Sequence, residues 1–167
     1  MKFIATLLTI VLFSSASFGQ KKDVLRLVMD TTNDQYGYVN SKGDTIIPPG
    51  KYKMCFTDKF DKFAIVITND TIVGIDRKEN ILFNVFVFDN GPDYPENGLF
   101  RITKDGKIGY ADLNGNIIIK PKYDCAYPFK NGKAKVGIGC KIQTSGEHSS
   151  WVGGKWYTID KRGNMVK

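Results

Sequence analysis

The sequence predicts an all-β protein: an array of four related β-hairpin repeats with a period of about 36 residues, stacked or fanned into one curved β-structure. Three observations point there. A short apolar pattern ending on Asp or Asn recurs four times. Phe, Tyr, Val and Ile, which suit a pleated, half-buried surface, recur in short runs between Gly, Asn and Asp turns. No segment shows a convincing helical period.

Residues 1–19 read as a signal peptide and are set apart from the fold. Lys2 supplies the positive start, and Phe3 to Phe13 is an apolar run. That run is shorter than the about 20 residues a membrane helix needs. Ser17 and Gly19 are the small residues of a cleavage site before Gln20. The expectation is export to the periplasm, the cell surface or the medium, with a mature chain of 20–167 that forms a single domain without a membrane span.

Charge is uneven along the mature chain. Residues 21–100 hold 10 Lys and Arg against 12 Asp and Glu, whereas residues 101–167 hold 13 against 5. A basic half can attract anionic polymers or surfaces. The lysines are dispersed rather than clustered, as expected of residues that solvate turns and strand faces, and export argues against nucleic acid as a partner.

The repeat is anchored at Asn40, Asp76, Asp112 and Asp160, which lie 36, 36 and 48 residues apart. Each anchor closes an apolar stretch: Tyr36-Gly37-Tyr38-Val39, Ile72-Val73-Gly74-Ile75, Ile108-Gly109-Tyr110-Ala111 and Trp156-Tyr157-Thr158-Ile159. Three residues after the anchor stand Gly43, Glu79, Gly115 and Gly163, and three further on Ile46, Leu82, Ile118 and Val166. An anchoring carboxylate or amide can accept from the backbone two residues on, and Gly then takes a left-handed conformation. Glu79 breaks that rule, so the second turn is expected to be strained or differently built. Pro48-Pro49 and Pro121 are expected to end strands, since proline cannot donate to a ladder. A second hairpin follows in the third unit, with its turn at Lys130-Asn131-Gly132, and in the second unit around Pro92 and Pro95.

The third unit, from Ile108-Gly109-Tyr110-Ala111-Asp112 through Gly115, Pro121, Phe129, Gly132, Ala134 and Val136, resembles the WG-type repeat of many bacterial proteins. The signature Trp is replaced by Tyr36 or Ile108, and Trp156 is followed by Tyr157 instead of Gly. The resemblance implies stacked β-hairpins across 20–167 and a role in interactions, with no particular ligand or reaction.

The chain offers little for catalysis. His148 is its one histidine, which excludes a catalytic triad and a multi-histidine metal site. No phosphate-binding Gly loop and no CxxC pair occurs, so neither cofactor nor metal is expected. The carboxylates are mostly turn residues. Asp89, Asp93 and Glu96, with Tyr94 among them, form a dense stretch that could hold a ligand or a calcium ion, although it lacks the spacing of a calcium loop. Cys55, Cys125 and Cys140 allow at most one internal bridge. Cys125 and Cys140 flank the second hairpin of the third unit and would bridge if their Cα atoms lie within about 7 Å. Cys55 and Cys125 occupy similar places in their units, which suits two core cysteines instead.

The long last interval places an insertion at 140–154, with Glu147, His148 and Trp151. Insertions in repeat proteins map to loops or longer hairpins on one face and often carry the specific function. Residues 144–150 are expected to project as a polar tip. Trp151 would serve as a stacking platform, a protein contact or a cap on the core. The functional expectation is an exported, non-catalytic interaction module that binds an envelope protein; the alternative is a polysaccharide stacked on Tyr94, Tyr127, Trp151 and Trp156, and a hydrolase ranks third.

Overall fold

The computed structural model describes residues 23–146 and 148–166; residues 1–19, read above as a signal peptide, and Glu147 lie outside the described residues. Every regular element there is a strand. The first unit contains β1 (Leu25–Asp30), β2 (Gln35–Val39), β3 (Thr45–Tyr52), β4 (Met54–Cys55) and β5 (Lys59–Phe60). The second contains β6 (Phe63–Thr68), β7 (Thr71–Asp76), β8 (Ile81–Val85), β9 (Val87–Phe88) and β10 (Gly91–Pro92). The third contains β11 (Leu99–Lys104), β12 (Lys107–Asp112), β13 (Ile117–Tyr123) and β14 (Cys125–Ala126), and the chain ends on β15 (Lys133–Ser145) and β16 (His148–Asp160).

The four anchors build one turn four times. Oδ1 of Asn40 accepts from the N–H groups of Lys42 and Asp44, and Oδ1 of Asp76, Asp112 and Asp160 accepts from the residues two and four further on in the same way. The anchor N–H donates to the carbonyl four residues on, and the N–H three residues on returns to the anchor carbonyl. A further bond closes the motif: the side-chain amides of Asn80, Asn116 and Asn164 donate to Oδ2 of their anchors. In the first unit the pair is exchanged, and Asn40 donates to Asp44. The same amide–carboxylate bond therefore forms from either order of residues. At Asp76 the bonds from Asn80 hold the carboxyl below its usual range.

Glu79 does not change the turn. It takes φ 64°, beside 89°, 79° and 83° at Gly43, Gly115 and Gly163. A residue with a Cβ pays about 1–2 kcal/mol for that conformation. The offset comes from outside the turn: Oε1 accepts from Lys51 at 2.7 Å and Oε2 from the buried Tyr52 hydroxyl at 2.7 Å. Burial would raise the Glu79 pKa, but these two donors outweigh it and hold the carboxyl low. Urea titration should find Glu79→Ala less stable than Glu79→Gly by about 1 kcal/mol, because both lose the contacts and only Ala keeps the strain. Equal stabilities would show that the backbone there is unstrained.

The prolines depart from expectation. β3 runs on through Pro48-Pro49 and β13 through Pro121. Both are edge strands, where a missing N–H costs no ladder bond, and the prolines fall at a register shift. The facing glycine makes room. A Cβ on Gly37 would lie 2.5 Å from the Ile47 oxygen, and one on Gly109 2.5 Å from the Pro121 nitrogen. The Gly of the repeat signature is thus a close-approach residue.

Strand orders are β3-β2-β1-β5, β13-β12-β11-β8-β7-β6-β4 and β14-β15-β16, with β9 and β10 as a small hairpin. The first and third units pack alike. Tyr38 is buried edge-on to Phe60 and donates to the Thr57 carbonyl, while Tyr110 is buried edge-on to Phe129 and donates to the Tyr127 carbonyl. Ile72, Phe83 and Val85 of the second unit form one cluster with Phe100, Ile102 and Ala111 of the third. No helix among the described residues is long and apolar enough to cross a membrane.

Candidate functional site

The insertion is a continuation of the ladder, not a separate polar loop. β15 and β16 pair from Lys133↔Asp160 out to Ser145↔His148, so residues 144–145 and 148–150 belong to the outer end of a long two-stranded ribbon. Glu147 lies outside the described residues, and His148 is placed by its backbone as the first residue of β16. The ladder skips Gly139 and Gly154, which separates the ribbon from the sheet at its base.

Two ties hold that base. Cys125 and Cys140 form a disulfide, with their Cα atoms 6.2 Å apart, joining β14 to β15. Cys55 is the free thiol, buried in the core of the first unit, so it and Cys125 do not play matching roles. Asp124 supplies the second tie. Its Oδ2 accepts from the Gly139 N–H at 2.6 Å while Oδ1 pairs with Lys107. Lys107, first, and Gly139 hold this carboxyl below its usual range.

Trp151 and Ile142 face each other across the ribbon ladder. Trp151 is half-buried with its ring centroid 6.5 Å from Phe86, and Ile142 is 59% exposed. Together with Phe86 and Ile108 they line a groove of about 540 Å³. Asn84, Lys104, Asp105 and Lys141 add polar groups to its lining. With Thr103 and Asp124 also in the lining, this is a concave surface of mixed polarity, apolar on the Trp151 and Phe86 side.

The stretch from Asp89 to Glu96 contributes differently from its sequence reading. Asp93 is 3% exposed and wholly engaged by Arg101, itself 4% exposed. Its Oδ2 accepts from the Arg101 backbone N–H at 2.8 Å and from Nε at 3.0 Å, and its Oδ1 pairs with Nη2. Arg101 also donates to the Ala126 carbonyl, and its guanidinium lies 4.1 Å from the Phe86 centroid. Asp93 is therefore no surface ligand; it fixes Arg101 beneath Phe86. Asp89 sits exposed in a tight turn at φ 49°. Tyr94 is 64% exposed, edge-on to Phe88. No group of three or more His, Cys, Asp or Glu is placed to hold a metal among the described residues.

The structure thus joins two regions that the sequence kept apart, through the series Asp93, Arg101, Phe86 and Trp151. Phe86, Arg101 and Ile142 were not among the sequence candidates. A signal was available for one of them: Arg101 stands in the apolar run from Leu99 to Ile102 and demands a partner wherever that run is buried.

Comparison with known proteins bears on the scaffold alone. The family model described as WG containing repeat matches residues 36–71 and 108–139. No curated protein and no solved structure matches the chain. The matched segments open on Tyr36-Gly37 and Ile108-Gly109, the two places where a strand backbone closes on the repeat glycine. Residues 36–71 and 108–139 are thus two β segments similar to the WG containing repeat.

Proposed function

We propose that this protein is an exported, non-catalytic binding module whose ribbon groove takes an extended segment of a partner protein in the cell envelope or outside the cell. The observation that carries this reading is the groove that Trp151 and the exposed Ile142 line together with Phe86 and Ile108. β14 pairs with β15 only through Cys125 and Ala126, so the outer half of the ribbon offers open strand edges to a peptide that adds as a further strand. Aromatic anchors in such a groove are typical centres of binding energy. The Cys125–Cys140 bridge and the leader at residues 1–19 support export, because disulfides persist in oxidising compartments. The engagement of Asp76, Asp93, Asp112, Asp124 and Asp160 within turns and ion pairs supports a non-catalytic role.

The test is selection of displayed peptides against the mature protein, followed by titration using Trp fluorescence. Trp151→Ala should weaken the selected peptides about tenfold or more. Selected peptides that bind Trp151→Ala as well as the parent, or a selection that returns none, would overturn the proposal.

A carbohydrate reading has support at one other place. Trp151 packs on Phe86, and Trp156 has Tyr127 at 5.7 Å and the Lys135 ammonium at 5.0 Å, whereas Tyr127 is the more exposed ring. Tyr127 is 41% exposed and lines a groove of its own.

A further inference from the structure

We propose that the groove beside Tyr127 is a subsite for an acidic sugar, held by a carboxylate or phosphate group against Lys130, Lys133 and Lys135. The proposal rests on the carbohydrate reading at that ring and names the charge of the sugar. The groove has a volume of about 510 Å³ and is lined by Tyr127, Pro128, the three lysines and Glu96.

The local structure explains the gathering of charge. Lys133 and Lys135 are two apart on β15 and project from one face. Lys130 and Lys133 exchange backbone hydrogen bonds across the Asn131-Gly132 turn, which brings the third ammonium to the same end. The Tyr127 N–H donates to the Lys135 carbonyl, setting the phenol ring beside that strand. The turn itself is pinned, because the Gly132 N–H donates to the Asn97 side chain at 2.7 Å.

These lysines have no carboxylate of their own. Ion pairs among the described residues are Lys51–Glu79, Lys53–Asp70, Arg101–Asp93 and Lys107–Asp124. Glu96, the single acidic residue in the lining, pairs with none of the three. The Lys135 ammonium also lies over the Trp156 ring, but none of the three is in an ion pair among the described residues; together they create a positive potential that an oxyanion relieves, and charge-assisted hydrogen bonds to it are the strong kind. The exposed Tyr127 ring gives the apolar face of a pyranose a surface to stack on, and Glu96 can accept from sugar hydroxyl groups. Ring and cations together select an acidic sugar over a neutral one.

The experiment is calorimetric titration of the mature protein with three probes: a galacturonate oligosaccharide, a hexose phosphate and a neutral galactose oligosaccharide. Binding of either acidic probe, weakened by added salt and not shared by the neutral one, is the expected result, and the tighter of the two names the anion. Lys133→Gln with Lys135→Gln should raise that Kd about tenfold or more. Tyr127→Leu should also weaken it, with folding of both variants checked by thermal unfolding. Binding of the neutral probe as tightly as the acidic ones would overturn the acidic class and leave the carbohydrate reading standing. Failure of all three probes would overturn both, and binding unchanged in the lysine variant would remove the site from this groove.

Discussion

Asp93→Ala is expected to destabilise the protein by about 3–5 kcal/mol, the usual consequence of removing one partner from a buried ion pair. Arg101 is 4% exposed, and its Nε, Nη2 and backbone N–H all donate to the one carboxylate. Without Asp93 the guanidinium keeps the Ala126 carbonyl and the rings of Phe86 and Phe88. The cost arises from stranding a cation, so the charge is the variable to test. Asp93→Ala with Arg101→Met should recover part of the loss, since a buried pair replaced by apolar groups is often near neutral. Urea denaturation of the parent, the single and the double variant measures both terms. A single-variant loss below about 1 kcal/mol would mean the pair behaves as a surface salt bridge. Because Arg101 supports Phe86, the single variant should also shift the Trp151 fluorescence.

Breaking the Cys125–Cys140 bridge is expected to lower stability by about 3 kcal/mol, the value for closing a loop of its size. The two cysteines are 15 residues apart, and the span between them contains the Lys130-Asn131-Gly132 turn and the first part of β15. The local consequence should be larger than the global one at the ribbon. Cys125→Ala with Cys140→Ala leaves Asp124 and its bond to Gly139 as the remaining tie at the base, so proteolysis should cut first between Gly139 and Gly154. Reduction of the parent should reproduce both effects. Cys55 should not confuse the readout: it is 4% exposed, and burial pushes its thiol up to about 11, so a thiol reagent should find it only after unfolding. A reduced protein with the parent's urea midpoint and cleavage pattern would rule out the bridge as a structural tie.

Sequence alone was sufficient for the all-β class and the turns at Asn40, Asp76, Asp112 and Asp160. The reason is that these features are local. An Asx side chain reaches backbone groups two and four residues on, and strand periodicity is written in consecutive residues. The same locality explains the misreading of Pro48-Pro49 and Pro121, because whether a proline is tolerated in a strand depends on whether that strand is an edge. It explains Glu79 as well, whose compensation comes from Lys51 and Tyr52 in the preceding unit. Only the tertiary structure decided which cysteine bridges Cys125, that Asp93 is buried under Arg101, and that Trp151 and Phe86 line one groove. Each of those depends on which strands lie side by side, and that order is set by the burial of all units together.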